Sequence, residues 1–407
     1  MNRNRKTILL LGGSRQQVPA IEKAKDMGYY TILLDYLPDN PGQYVADKWY
    51  KESTTDIETV YKIAVKERVE GILAYASDPA ALPAAIVCER LGLPTNPVHS
   101  VEILGVKHKF RKFLKDNGFA CPSSIILSKD SKNNEGEALS RLSMLRFPIV
   151  IKPTDSSGSK GVSFINNEMD IPKAIEHAAE YSRNGILIAE EYIEKGFPYV
   201  VGGDIFIEKG KIILYGDMAC MRTEGGKGLI PIGKRYPTGL TAKQKDRLDT
   251  ELQRLIDKLN INSGEMNIEV IIDNDDNIHF LEVGPRAGGN MIPIQLSDIY
   301  GIDLIEANIK AAMGEESSLR LQKPDGFFLT YVIHSEKDGI FSHIEYSSEI
   351  LKSIYKKVIY KDSGDPVEKF DGAGKALGIL FLKFNDEATM LDTSQNMSEH
   401  IKVVLSE

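Results

Sequence analysis

Apolar and polar positions fall into two regimes along the chain. Up to Gly92, short apolar runs alternate with stretches of helical period. Thr7–Leu11 reads as a strand, and Gly12-Gly13-Ser14 opens a helix that ends near Gly28. Thr31–Asp35 is a second strand, a helix over Ile57–Lys66 leads to a strand at Gly71–Ala76, and another helix spans Pro79–Leu91. Strands separated by helices pack as a parallel sheet, because each return in the same direction needs a long crossover. Gly92-Leu93-Pro94 ends this regime.

From Ser100 the spacing changes. A basic helix, Val101–Asp116, precedes Gly118-Phe119-Ala120-Cys121-Pro122. Then come a helix near Glu137–Leu145, a strand ending at Lys152, a Ser/Gly loop and another strand. Asp170–Tyr181 has helical period, whereas Gly185–Ala189, Val200–Glu208 and Lys211–Cys220 read as strands. A Gly-rich connection runs from Arg222 to Pro237, a long helix covers Ala242–Asn260, and a hairpin spans Glu265–Val283. The final stretch, Pro324–Glu407, is rich in short strands and reads as a small cap.

Composition narrows the class. A chain of 407 residues exceeds one ordinary core, so roughly two to three domains are expected. With 42% hydrophobic and 27% charged residues it is a folded globular chain, and a net charge of -8 argues against a nucleic-acid or anionic-membrane partner. No run reaches membrane-spanning length, and the apolar run after MNRNRK is too short for a signal peptide. Cys88, Cys121 and Cys220 show neither metal spacing nor a disulfide framework, which fits a reducing cytoplasm and reads as ordinary packing. The seven histidines are scattered, with no triad or zinc spacing.

Four stretches carry candidate chemistry. The turn Gly12-Gly13-Ser14-Arg15-Gln16-Gln17 lacks the third glycine of a dinucleotide fingerprint, although Asp35 stands where a ribose-binding acid would. That leaves a bare scaffold, or a small-ligand site at its strand ends, as the reading. The hairpin says more. If Asn274–Asn277 is a four-residue loop, Asp273 faces Ile278 and Glu269 faces Glu282 on one side of the ribbon. Opposed acids repel, so they need a shared proton, a bound cation or full solvation. An oxygen-only set points to Mg²⁺ or Mn²⁺. Downstream, Arg286 in GPRAGGN either reaches an anion held there or makes a surface ion pair.

The third stretch is KPTDSSGSKGVSF. Its Ser156–Gly161 backbone either folds over phosphates beneath Lys152 or is a plain turn; it is not a Walker A loop, because a strand follows Lys160-Gly161. In the fourth, ILIAEEYI, an apolar strand becomes a connector whose exposed backbone suits a purine edge, unless Glu190 and Glu191 are simply solvated.

In this order the pieces resemble the ATP-grasp superfamily, specifically its carboxylate–amine ligases. The matching residues are Lys109 in KHKFRKFL before GFACP, Lys152 with SSGSKGV, AEEYI, and Glu269/Glu282 closed by EVGPRAGGN. The resemblance implies an α/β (α+β) fold in three domains: a Rossmann-like parallel sheet over 1–97, an ATP-grasp fold over 98–320 with its lid near 122–195, and a small mixed C-terminal domain over 321–407. It implies ATP and Mg²⁺ (or Mn²⁺) as cofactors. Lys109 and Lys152 would contact phosphates, and Ser156, Ser157, Gly158, Ser159, Lys160 and Gly161 would cover them. Glu190 would approach the adenine amino group, with the backbones of Glu191 and Ile193 beside Tyr192 on the ring edge. Glu269 and Glu282 would hold metal, and Arg286 would stabilise the transferred phosphoryl group.

Two positions depart from the family pattern. Gly284 stands where a metal-binding Asn is usual, and Val200 where an acid often precedes Asp204. The expected reaction is ATP-dependent joining of a small carboxylic acid to an amine, with a homodimer by analogy. Arg222, Lys227, Arg235 and Asn290 are the candidates for substrate contacts. A purine-precursor ligase, a carbamoyl-phosphate-synthase-like activity and a nucleotide-binding protein without turnover are the alternatives.

Overall fold

The computed structural model describes residues 5–130, 135–156, 158, 160–223 and 230–406. The first regime forms the expected parallel sheet. Strands β1 (Thr7–Leu11), β2 (Tyr30–Leu34), β3 (Lys48–Tyr50) and β4 (Gly71–Leu73) lie in the order β3-β2-β1-β4. Helices α1 (Val18–Asp26) and α2 (Ile57–Glu67) cross over between them, and α3 (Asp78–Leu91) follows β4. β3 was not legible in the sequence: three residues with charged and aromatic side chains show no apolar period. Both faces of β1 are buried. Leu9 and Leu11 pack towards α2 and α3, while Ile8 and Leu10 pack towards α1.

The predicted single basic helix is two. Val106 is extended (φ -126°, ψ 107°) and separates α4 (Val98–Gly105) from α5 (Lys107–Asp116). The Lys107 N–H then bonds to the Thr154 carbonyl rather than back into α4. A lid follows, built from β5 (Ser124–Ser128), α6 (Glu135–Leu142), β6 (Ile149–Pro153), β7 (Ser163–Ile165), α7 (Ile171–Glu180) and β8 (Ile186–Glu191). Its antiparallel sheet runs β5-β8-β6-β7, with both helices closing one apolar core.

The large sheet contains β9 (Val200–Glu208), β10 (Lys211–Arg222), β11 (Pro231–Tyr236), β12 (Gly264–Ile272) and β13 (Ile278–Gly284). α8 (Ala242–Leu259) covers one face, and α9 (Ile292–Tyr300) and α10 (Leu304–Ala312) cover the other. The Gly-rich connection therefore holds a strand: β11 pairs with both β10 and β14 (Phe327–Ile333). With β15 (Gly339–Tyr346), β16 (Ile354–Ile359), β17 (Pro366–Val367), β18 (Gly378–Phe384) and β19 (Ile401–Ser406), the C-terminal stretch is indeed strand-rich. Three of these strands continue the large sheet, in the order β13-β12-β9-β10-β11-β14-β18-β16, and the other three form a small sheet of their own. No helix among the described residues is long and apolar enough to cross a membrane.

Candidate active site

Between the lid, the β12–β13 hairpin and the edge of the N-terminal unit lies a cleft of about 570 Å³. Val150, Val162, Phe164, Ile193, Ile271 and Leu281 line it with apolar surface. Phe164 and Tyr192 meet edge to face, with centroids 5.0 Å apart. Its charged lining sets Lys107, Lys152, Lys195, Arg222, Lys234 and Arg286 against Asp78, Glu190, Glu191, Glu269 and Glu282.

Glu269 does face Glu282 across the ladder, but not by the expected count. Asp273 does not pair with Ile278. Its carboxylate accepts the N–H groups of Asp275 and Asn277 and contacts His279 Nε2 at 2.8 Å, which makes it part of a five-residue turn. These bonds outweigh burial and hold its pKa at about 2. The ladder restarts at Ile272 opposite Ile278 and is one residue out of step until Val270 opposite Phe280. A bulge at Leu281 then restores Glu269 opposite Glu282. A bulge also lets two consecutive residues share a face, and both Leu281 and Glu282 line the cleft.

Cations already face both acids. Arg222 Nη2 lies 3.1 Å from Glu269 Oε2, and Lys107 Nζ lies 3.3 Å from Glu282 Oε2. Burial alone would raise the Glu269 carboxyl, but Arg222 and Lys234 more than offset it and hold it below the usual range. Among the described residues no group of three or more His, Cys, Asp or Glu side chains gathers to cage a metal. Two opposed carboxylates on an open cleft suit Mg²⁺, which keeps water and phosphate oxygens in its shell. The missing asparagine at Gly284 has a neighbour across the ladder: Asn267 pairs with Gly284 and lines the cleft.

Lys152 and Glu190 lie deeper than the sequence implied. Lys152 Nζ sits 2.5 Å from Glu190 Oε2, and Arg111 Nε lies 2.6 Å from Glu190 Oε1. Burial opposes ionisation of Glu190, yet Arg111 and Lys152 together draw its pKa down to about 2. Burial lowers the Lys152 ammonium, with Glu190 opposing and Arg111 adding to the shift. Arg111 was missed because, in a helix with four lysines beside it, nothing in the sequence marks the buried cation.

Lys109 is a correction. It points to Glu102 at 2.7 Å, is 41% exposed and does not line the cleft. Lys107 takes that place and also donates to the Ser156 carbonyl at 2.6 Å. Ser156 and Gly158 line the cleft, and Ser156 Oγ closes the loop on the Lys160 carbonyl. Gly158 (φ 66°) and Gly161 (φ 73°) supply the left-handed turns. Ser157, Ser159 and Lys227 lie outside the described residues.

Glu191 spends its N–H on Ser123 and its carboxylate on the Arg146 N–H, while Tyr192 N–H bonds to the Pro148 carbonyl. Arg286 is gripped by Asp78 through two bonds of 2.7 and 2.6 Å. Asn290 donates its N–H to Gln16 Oε1. Arg235 is a second correction: it stacks on Tyr199 at 4.0 Å and is not part of the cleft lining, whereas its neighbour Lys234 is. The Gly12 turn is no dinucleotide site. Gln17 fills it, within 2.2 Å of where a Cβ on Gly12 would stand, and Asp35 is spent on the Gly13 and Leu37 N–H groups.

An apolar slot runs into paired acids ringed by cations, set between the lid and an extended antiparallel sheet, and this is the ATP-grasp fold. Residues 107–320 match the family model described as the carbamoyl-phosphate synthase L chain, ATP binding domain, and the chain belongs to that family. A carbamoyl phosphate synthase large chain, C-terminal section, from Methanopyrus kandleri is 25% identical over 320 residues, covering 76% of this chain and 57% of that protein. The large chain from Pseudothermotoga lettingae is 24% identical over 366 residues, covering 89% of this chain and 31% of that one. The chain thus spans about half or less of these relatives. Among solved structures, an L-amino acid ligase from Bacillus licheniformis superposes with a TM-score of 0.83 at 17% identity, with 100% of both chains covered. A phosphoribosylglycinamide synthetase from Anaerococcus prevotii gives 0.78 at 20%, covering 99% of this chain and 100% of the other. The biotin carboxylase domain of a Hydrogenobacter thermophilus 2-oxoglutarate carboxylase, solved with MgADP, gives 0.77 at 17%, covering 98% and 90%.

Proposed function

We propose that the chain phosphorylates a small carboxylic acid with ATP and passes the acyl group to an amine, releasing ADP and phosphate. The observation that carries this reading is the Glu269–Glu282 pair, opposed across one ladder, open to the cleft and each within reach of a cation. The nucleotide base would lie against Val150, Phe164, Ile271 and Leu281. Because the Glu191 N–H is already used, that residue would meet a purine edge through its carbonyl.

A carboxylate is a poor acyl donor because oxide is a poor leaving group. Attack of its oxygen on the γ-phosphorus expels ADP and leaves an acyl phosphate. The amine then attacks the acyl carbon, phosphate departs, and the amine nitrogen gives up a proton. Positioning and charge neutralisation supply most of the rate in such transfers. Lys107 and Lys152 would neutralise phosphate oxygens and the 156–161 loop would cover them. Glu269 and Glu282 would hold Mg²⁺, which supplies Lewis-acid polarisation of the phosphoryl group. Arg286 would face the charge that develops on the transferred group.

The test is ADP and phosphate release with Mg²⁺ across amino acids, aminoribose phosphates and bicarbonate with ammonia. Turnover with one acid–amine pair, abolished in folded Glu282→Ala, is expected. Tight ATP binding with no ADP from any pair would overturn it. Family membership keeps bicarbonate with ammonia in the screen.

A further inference from the structure

The sequence places Glu282 on the cleft only if the β12–β13 ladder carries one extra residue. Continuing the pairing of Ile272 with Ile278 in step would set Leu281 opposite Glu269 and Glu282 opposite Ile268. Ile268 is fully buried in the core beneath α8, so an unbulged ribbon would turn Glu282 away from Glu269. The metal pair thus depends on the bulge at Leu281.

A bulge interrupts backbone pairing, and among the described residues β13 is an edge strand whose outer side no further strand covers. Arg111 meets that side. Its Nη1 donates to the Phe280 carbonyl at 3.1 Å and its Nη2 to the Leu281 carbonyl at 2.8 Å. The same guanidinium gives Nε to Glu190 on the lid strand β8. Three bonds in three directions use the planar fork of an arginine, which a lysine ammonium cannot reproduce. The residue is 3% exposed, so this charge is placed in the interior for a purpose that burial alone opposes.

We infer that Arg111 is a positioning residue of the metal site: it pins the Leu281 bulge, sets Glu282 opposite Glu269, and ties that register to the strand carrying Glu190. Its cause rests on the hairpin geometry. Its consequence for metal rests on the ligase reading, and separate measurements address the two.

The variants are Arg111→Gln, Arg111→Lys, and Arg111→Gln combined with deletion of Leu281, all in the full chain. Deleting Leu281 makes the ladder regular with Glu282 still opposite Glu269, so it removes the need for the arginine. Hydrogen exchange over 278–284 reads the bulge without any metal. Faster exchange in both single variants, and protection regained on deletion, are expected. Direct Mn²⁺ titration by electron paramagnetic resonance reads the site. Loss of a supporting contact typically weakens a metal site by about 10- to 100-fold, and recovery to within about threefold is expected on deletion. An arginine needed only for its own packing would not be rescued by removing one residue from the strand it touches. Arg111→Lys keeps the charge beside Glu190 and decides the matter if Arg111→Gln does not fold. Unchanged exchange over 278–284 in Arg111→Lys, or no recovery on deletion in a folded double variant, would overturn the inference. Wild-type protein that fails to bind Mn²⁺ while exchange behaves as expected would count against the ligase reading alone.

Discussion

Lys107 and Lys109 sit two residues apart on α5, and their fates differ enough to measure. Replacing Lys107 by Met removes an ammonium 3.3 Å from Glu282 Oε2 and bonded at 2.6 Å to the carbonyl of Ser156 in the loop after β6. Its side chain is only 13% exposed, so solvent cannot substitute for the lost charge. A hydrogen bond to a charged group contributes about 1.5–3 kcal/mol, or roughly 10- to 150-fold in an equilibrium constant. The expected result for Lys107→Met is therefore an ATP dissociation constant raised by about 10- to 150-fold. Lys109 and its partner Glu102 are 41% and 38% exposed and lie outside the cleft. Exposed ion pairs contribute about 0–1 kcal/mol to stability, and nothing links this one to a ligand. Lys109→Met should leave ATP affinity within about twofold and shift the thermal midpoint by a few degrees at most. Isothermal titration with ATP and Mg²⁺, paired with thermal melts, separates the two. Equal losses of affinity, or a larger loss for Lys109→Met, would refute the assignment of Lys107 to the phosphates.

The buried triad predicts an acid limb. The Glu190 carboxyl is depressed to about 2, so its contribution is present above the unfolded carboxylate value. It is lost as pH falls from there through the folded value, a difference of about 3 kcal/mol if the whole shift is expressed. Urea midpoints between pH 5 and 2.5 should fall less steeply in Glu190→Gln, which is itself less stable because Arg111 and Lys152 lose their anion; parallel slopes would contradict the triad. On β11, Arg235→Leu should cost stability without raising the substrate KM, and Lys234→Met should raise KM with little loss of stability, because the two side chains have different surroundings. Asp78→Asn loosens the grip on Arg286 and should lower kcat at least tenfold with ATP affinity unchanged; an intact kcat would show that Arg286 needs no orientation from the N-terminal unit.

Much of the site was legible because it lies on period-two strands bounded by turn residues. Glu269 and Glu282 could be paired by counting outward from Asn274–Asn277. The count was correct at the acids and wrong at the turn, since the extra turn residue and the bulge offset each other. What could not be read were contacts made across long sequence separations. A cation-rich helix does not reveal that Arg111 points inward and Lys109 outward, because their separation of two residues is a rotation fixed only by packing. Likewise a Gly-rich stretch hid β11, whose partners are an adjacent strand and one nearly a hundred residues later. Apolar periodicity gave the large helices, but it could not show that strands of the C-terminal stretch extend the same sheet as the β12–β13 hairpin.

The turn after Glu282 shows how polar burial serves the chemistry. Its front is held by the N-terminal unit, through Asp78 to Arg286 and Gln16 to the Asn290 N–H. Its back is held by Asp204, which is fully buried and accepts from the Gly288 N–H and the Asn267 amide, each at 2.8 Å. Beside Asp204 lies Glu265, itself bonded by the Asn308 amide. Burial and the Asp204 charge push the Glu265 carboxyl well above the usual range. Asp204 and Glu265 thus brace the turn from its buried side, while Asp78 and Gln16 hold it from the N-terminal unit.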